Sequence, residues 1–577
     1  MADGLSEARG NLVTATNEQT GMNAPRVSRR SLMAGAGGAA LAAAVGAKFV
    51  APGVRAQEGN VPEGFEAGVT AQTPTATGPA VPPEYTDFAN DWPVANKDIV
   101  GTRLASTTIS AENINSLEVA WEYSVEEVGL FGAWTSNPII QGDTVYVQDL
   151  ACNVHALDRN TGELKWSTKY SVPSVGPNGI AVAYGKVFGA AGMTALAYCL
   201  DAETGEELWS LDMTPNQRER VDGTPSVYDN TVYFSTTPSY SGGARGILYA
   251  LDCETGAVLW YWDTLENNAW NAPRLNAGGG LWYTVSFDEE GNLYFGTGNA
   301  SPLPGSPEYP NATSRPGDNL WTAAMVSLSA ETGGVRWYYQ DAPHDLFDLD
   351  FQLMPILTTI TDGGEEVPVA IGAGKTGHIV ACNRENGRVV WKRTVGDHKN
   401  AWLTEVPEGE TIEVLPGALG GVETPMALAD GVLYAAVVHQ AGVYTDSAWS
   451  FATTDYGAAT GDLYALDVND GTILWTVPVD KMPLAAMTVA NDLVLSGDLS
   501  GQIFAYARES GDLVWTSPQF TAGVNAPLAV AGDMILVAAG APFYGDTGTV
   551  AEVKNQLVAL RLPGGASGAT PEATPSS

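Results

Sequence analysis

One eleven-residue pattern recurs seven times along the chain and constrains its fold more than any other feature. It reads ALDRNTGELKW ending at Trp166, CLDAETGEELW at Trp209, ALDCETGAVLW at Trp260 and SLSAETGGVRW at Trp337, then ACNRENGRVVW at Trp391, ALDVNDGTILW at Trp475 and AYARESGDLVW at Trp515. INSLEVAW, ending at Trp121, reads as the last half of an eighth unit. Each unit predicts a strand, a tight turn and a second strand. Gly162, Gly205, Gly256, Gly333, Gly387, Gly471 and Gly511 sit at the turn, where a positive φ costs glycine least. The Trp ends the second strand with a flat side chain large enough to fill the space between neighbouring sheets. Successive Trp residues are 45, 43, 51, 77, 54, 84 and 40 residues apart. The shortest interval fits one four-stranded blade, and the long ones carry insertions. The prediction is all-β: an eight-bladed β-propeller over residues 99–562, in which an N-terminal strand completes the last blade and removes exposed sheet edges.

Composition removes several function classes. Lys and Arg number 28 against 66 Asp and Glu, a net charge of −38, so a nucleic-acid partner is excluded on electrostatic grounds. Four Cys with no CxxC or CxxCH exclude a zinc ribbon, an attached c-type haem and a disulfide-dense scaffold. Ahead of the repeats, Arg29 and Arg30 precede an Ala- and Gly-rich run that ends in Val54-Arg55-Ala56. This resembles a twin-arginine export signal with a cleavage site, over residues 1–56. The run is short and small-residue-rich for a spanning helix, so a periplasmic, cell-surface or extracellular product without a stable membrane anchor is expected. Residues 57–98 and 563–577 are rich in Pro, Thr, Gly and Ala and read as linker and tail.

Chemistry is expected where the repeat is broken, between Trp260 and Trp337 and between Trp391 and Trp475. Just beyond the first interval, Asp341, His344, Asp345, Asp348 and Asp350 fall within ten residues. So many carboxylates repel one another unless a cation, a basic group or solvent offsets them. A solvated acidic loop is the plain alternative. Phe347 and Leu349 alternate with Asp348 and Asp350, so on an extended strand both carboxylates would point the same way. Such a pair suits a hard cation with oxygen ligands, and Asn299 in Gly296-Thr297-Gly298-Asn299 could add an amide oxygen. His344 is read as orienting its loop.

The repeat, together with WYTVSFD…YFGTGN, RPGDNLW and PHDLFDLD, resembles the pyrroloquinoline-quinone (PQQ) dependent alcohol and glucose dehydrogenases over about residues 100–562. The resemblance implies PQQ in the central funnel, stacked on Trp282, and a cation, Ca²⁺ or a lanthanide, held by Asn299, Asp348 and Asp350. It implies Asp348 as catalytic base and Lys375 as the basic group on the quinone carbonyls, with Arg245 and Thr224 as further cofactor contacts. The substrate would be an alcohol or a sugar-type hydroxyl. Electrons would pass to an external acceptor such as a cytochrome or quinone, because the chain carries no haem motif. Three positions depart from the family's pattern: Ser241 stands where a Glu cation ligand is usual, Asn178 lies near the place of an Arg, and Ser136 replaces a more polar contact. The adjacent Cys pair of many alcohol dehydrogenases is absent. These losses keep a rival reading open, a cofactor-free propeller resembling the lipoprotein scaffold of outer-membrane protein assembly.

Overall fold

The computed structural model describes residues 79–214, 218–238, 242–265, 269–270, 272–449, 456–541 and 553–564. The expected export signal and tail lie outside the described residues. Eight antiparallel sheets form the eight blades. Blade 1 is built from Ile139–Gln141, Thr144–Gln148, Val154–Asp158 and Leu164–Thr168. The innermost strands of blades 2 to 7 are Ala181–Ala183, Ser226–Tyr228, Ser286–Phe287, Ile356–Asp362, Ala427–Ala429 and Thr488–Ala490. Blade 8 combines Ala529–Ala531, Met534–Ala541 and Gln556–Arg561 with Glu118–Ser124, which pairs antiparallel to Gln556–Arg561. The ring is therefore closed by the N-terminal strand, as the half-unit at Trp121 predicts.

The repeated residues hold blade to blade. Seven of the eight repeat Trp indoles donate to a backbone carbonyl of the next blade: Trp121 to Arg159 at 2.9 Å, Trp166 to Ala202 at 3.1 Å and Trp209 to Cys253 at 3.1 Å. The series continues with Trp260 to Ala330, Trp337 to Arg384, Trp391 to Val468 and Trp475 to Arg508, at 2.7 to 3.0 Å. The turn glycine has a second duty. At Gly387 a Cβ would lie 2.8 Å from the Trp337 ring, and Gly162, Gly205, Gly256, Gly333, Gly471 and Gly511 meet the preceding Trp in the same way. The Asp of the repeat fastens the same turn, as Asp158 does by accepting the N–H groups of Asn160 and Thr161.

The linker expected over 57–98 is too long. Residues 83–87 form a short helix, and Trp92 is fully buried. Between Ala80 and Thr108 the chain reaches every blade. It bonds Ile140 of blade 1, Gly185 of blade 2, Asp229 of blade 3, Phe287 of blade 4, Leu357 of blade 5, Leu428 of blade 6, Val489 of blade 7 and Gly532 of blade 8. Arg103 anchors this hub, fully buried, donating to the Met487 and Leu528 carbonyls, Asn96, Asn137 and Thr488 at 2.7 to 3.0 Å. Composition alone misreads the segment, because its prolines suggest a tether while its Trp and Arg are spent on tertiary contacts. All four Cys are buried free thiols, so Cys199 and Cys253 do not bridge the blades. Among the described residues no helix is long and apolar enough to cross a membrane.

Candidate active site

A cavity of about 220 Å³ opens at the end of the ring away from the hub. Its lining follows a positional rule. Thr135, Pro177, Trp282, Gln352, Glu423, Leu484 and Asn525 each stand four residues before the innermost strand of their blade. Blade 3 contributes Arg220 instead, carried on the small side sheet of Glu219–Arg220 and Thr237–Pro238. All eight blades thus present a side chain to one space. Asp348 and Asp350 reach it from the same approach to blade 5, and Lys375 from a turn of that blade.

The segment carrying the two aspartates is not the extended strand expected from its alternation. Asp345 accepts the N–H groups of Phe347 at 2.8 Å and Leu349 at 3.0 Å. That turn leaves Asp348 in the left-handed region at φ +65°, where side chains with short polar groups are best tolerated. Leu346, Phe347 and Leu349 are buried against Val406, Val414 and Tyr444, whose hydroxyl donates to the Phe347 carbonyl at 2.8 Å. Apolar packing on one side therefore drives the carboxylates to the other. The remaining acids separate: Asp345 serves the turn, while Asp341 bonds His378, Lys392 and Tyr339. His344 bonds the Gly317 carbonyl at 2.8 Å.

Lys375 lies between the two carboxylates. Its ammonium is 3.2 Å from Asp348 Oδ2 and 2.8 Å from Asp350 Oδ2. Burial pushes the Asp348 carboxyl well above the usual carboxylate range; the Lys375 charge opposes this and the Asp350 charge adds to it. On the neighbouring blade 6 burial raises Glu423 to about 8, again with Lys375 opposing. Gln352 ties the two sides together, accepting the Lys375 N–H and donating to Glu423 at 3.2 Å each.

The expected cation site does not match this arrangement. Asn299 donates its amide nitrogen to the Ala300 carbonyl and its backbone N–H to Asp350 Oδ1, which leaves only the amide oxygen as a ligand atom beside the pair. Among the described residues no group of three or more His, Cys, Asp or Glu could hold a metal ion. Ser241 lies outside the described residues and carries no carboxylate. An ion seated on the same oxygens would lie beside the ammonium, and like unit charges about 4 Å apart repel by about 4 kcal/mol at an effective dielectric constant near 20.

A flat anionic ring system fits better. Trp282 forms one wall, and Gly280 and Gly298 run alongside it so closely that a Cβ on either would come within 3.3 Å of its indole nitrogen. Leu130, Phe131, Val175 and Pro177 add apolar surface. Thr424 Oγ1, a polar atom of the lining, has no hydrogen-bond partner among the described residues, and buried groups of this kind are normally satisfied, while Arg220 Nε lies 3.4 Å from Asp222 Oδ2. With Lys375 they supply donors for carboxylates and carbonyls. Two expected cofactor contacts are corrected. Arg245 is committed to Asp263 at 2.5 Å and to the Leu265 carbonyl, away from the cavity, and Thr224 donates to the Asn178 carbonyl at 3.1 Å. Ser136 and Asn178 are likewise tied up internally, Ser136 on Gln148 and Asn178 on Thr135 and Asp149.

Comparison with known proteins agrees with this geometry. The model of the glucose/ethanol/alcohol dehydrogenase β-propeller domain matches residues 220–395, the stretch that supplies Arg220, Trp282, Asp348, Asp350 and Lys375. Over this stretch the chain resembles the PQQ-dependent dehydrogenase β-propellers. A second model, outer membrane protein assembly factor BamB, matches the flanking blades at 105–272 and 423–566. A quinohemoprotein alcohol dehydrogenase of Comamonas testosteroni is 26% identical over 506 residues, covering 76% of this chain and 70% of the relative. A lanthanide-dependent methanol dehydrogenase of Methylacidiphilum fumariolicum is 27% identical over 391 residues, covering 57% of this chain and 61% of the relative. The crystal structure of the Comamonas enzyme superposes with a TM-score of 0.72 at 23% identity, over 84% of this chain and 82% of that one, which places the two propellers in one fold. Trp282, Asp348, Asp350 and Lys375, named from the sequence motifs, all line the cavity. Arg220, Gln352, Glu423, Thr424 and Asn525 were missed. For Gln352, Glu423 and Asn525 the signal is the fixed distance to the inner strand, which the Trp repeat does not mark.

Proposed function

We propose that this protein is an exported quinoprotein oxidoreductase that binds PQQ in the cavity and oxidises an alcohol or sugar-type hydroxyl, with electrons leaving to a separate acceptor. The observation that carries the reading is the convergence of Trp282, Asp348 and Lys375, far apart in sequence, on one space. PQQ, when bound, supplies the two-electron acceptor that no side chain can replace. The chain does the rest. Trp282 offers the stacking face, and Lys375 and Arg220 offer positive charge to carboxylates and carbonyls. Asp348 takes the substrate hydroxyl proton on a carboxylate oxygen, its proton affinity raised by burial toward the range useful to a general base. The apolar side of the cavity limits water. A protein-binding scaffold would need neither the indole wall nor a buried pair of carboxylates. The test is reconstitution of the purified protein with PQQ: bound PQQ quenches tryptophan emission, and dye is reduced with one member of a panel of alcohols and sugars. Absence of any PQQ binding refutes the reading.

A further inference from the structure

The two carboxylates expected to bind a cation already hold one that belongs to the chain. Lys375 is buried, and its ammonium contacts both Asp348 and Asp350. Its backbone is fixed from three directions. The N–H is bonded to Gln352, a Cβ on Gly374 would fall 2.3 Å from the Asp350 carbonyl, and one on Gly421 would fall 2.5 Å from the Lys375 carbonyl. The ammonium is therefore delivered by close-packed backbone rather than by a chance rotamer of a surface lysine. Asn299 gives its amide nitrogen to the Ala300 carbonyl and its backbone N–H to Asp350, so its amide oxygen is the one neutral ligand atom it has left to add to the pair. Calcium takes six to eight oxygens, and two carboxylates shared with an ammonium do not approach that set.

We propose that the Lys375 ammonium is the resident cation of this cavity, so that Asp348 and Asp350 bind no calcium or lanthanide ion and the cofactor is held without a metal. The last clause rests on the PQQ reading above; the first does not.

Terbium(III), titrated into the full-length protein and read by tryptophan-sensitised emission, tests the first part directly. Asp350→Asn is the reference that subtracts ions bound to the acidic surface. Wild type and D350N are expected to superpose, whereas Lys375→Met or Lys375→Gln gains one site, at least tenfold tighter, that disappears when D350N is added. An Asp350-dependent site in wild type overturns the proposal, and that comparison needs no Lys375 variant to fold. Failure of correctly folded K375M and K375Q to gain a site also overturns it, because the ammonium would then not be what closes the pair. PQQ binding is measured separately, in chelator and in excess Ca²⁺ or La³⁺. Affinities equal within about twofold support the second part, and a gain of tenfold or more with either ion overturns it. No binding in any condition removes the PQQ reading, while the terbium result still decides the first part.

Discussion

Replacing Gly387 by Ala separates two demands that the repeat places on its turn glycine. Gly387 has φ +71°, and an added Cβ would sit 2.8, 2.9 and 3.1 Å from Cε3, Cδ2 and Cβ of Trp337. The left-handed backbone alone costs an L-residue about 1–2 kcal/mol. Overpacking against a ring that is also anchored to the Arg384 carbonyl at 2.7 Å adds about 1–3 kcal/mol. The total expected for G387A is about 2–5 kcal/mol. Gly431 provides the control, with φ +77° and nothing within 4 Å of its added Cβ, so G431A carries the backbone cost alone. Urea unfolding followed by tryptophan emission and circular dichroism gives both values. In a W337A background the packing part of G387A vanishes, leaving about 1–2 kcal/mol, and the double-mutant cycle reports the coupling. If G387A costs no more than G431A, the glycine is there for the turn only and the inter-blade docking argument is wrong.

Other expectations follow from the same geometry. Asp348→Asn should leave PQQ binding intact while lowering turnover by about 10²–10⁴-fold, the range for loss of a general base, measured by dye reduction. Arg103→Ala should destabilise the protein by about 3–5 kcal/mol in urea unfolding, because it strands buried acceptors of blades 7 and 8 that the guanidinium satisfies. Glu423 titrates higher in the folded protein, about 8, than its ordinary 4.5. Its contribution to stability is therefore complete below about pH 4.5 and lost as pH rises through 8, and Glu423→Gln should flatten that part of the stability profile.

The fold was legible because the repeat encodes contacts between neighbours: a Trp, its acceptor and the glycine that makes room for it recur in register. The site was legible only where residue type is unusual for a loop, as at Trp282 and the Asp348–Asp350 pair. Arg245 shows the limit. Its type suits an anionic cofactor, yet Asp263 claims it away from the cavity, while Arg220 lines the cavity with Asp222 3.4 Å from its Nε, and no pattern in sequence tells the two arginines apart. Arg220 faces the cavity because its side sheet turns it there. The partner of the carboxylate pair was hidden for a similar reason: the motif supplies the carboxylates, while the charge paired with them in the structure comes from Lys375, 25 residues beyond Asp350.

The hub between Ala80 and Thr108 is translated before any blade. Each blade of roughly 45 residues leaves the ribosome over roughly 2 to 10 s at ordinary elongation rates, and the backbone partner it will bond is already waiting outside. Blades can thus be added in order onto a pre-existing template, each new inner hairpin capturing one short stretch of it. The final addition, Gln556–Arg561 onto Glu118–Ser124, then works as a latch that cannot close until synthesis is almost complete.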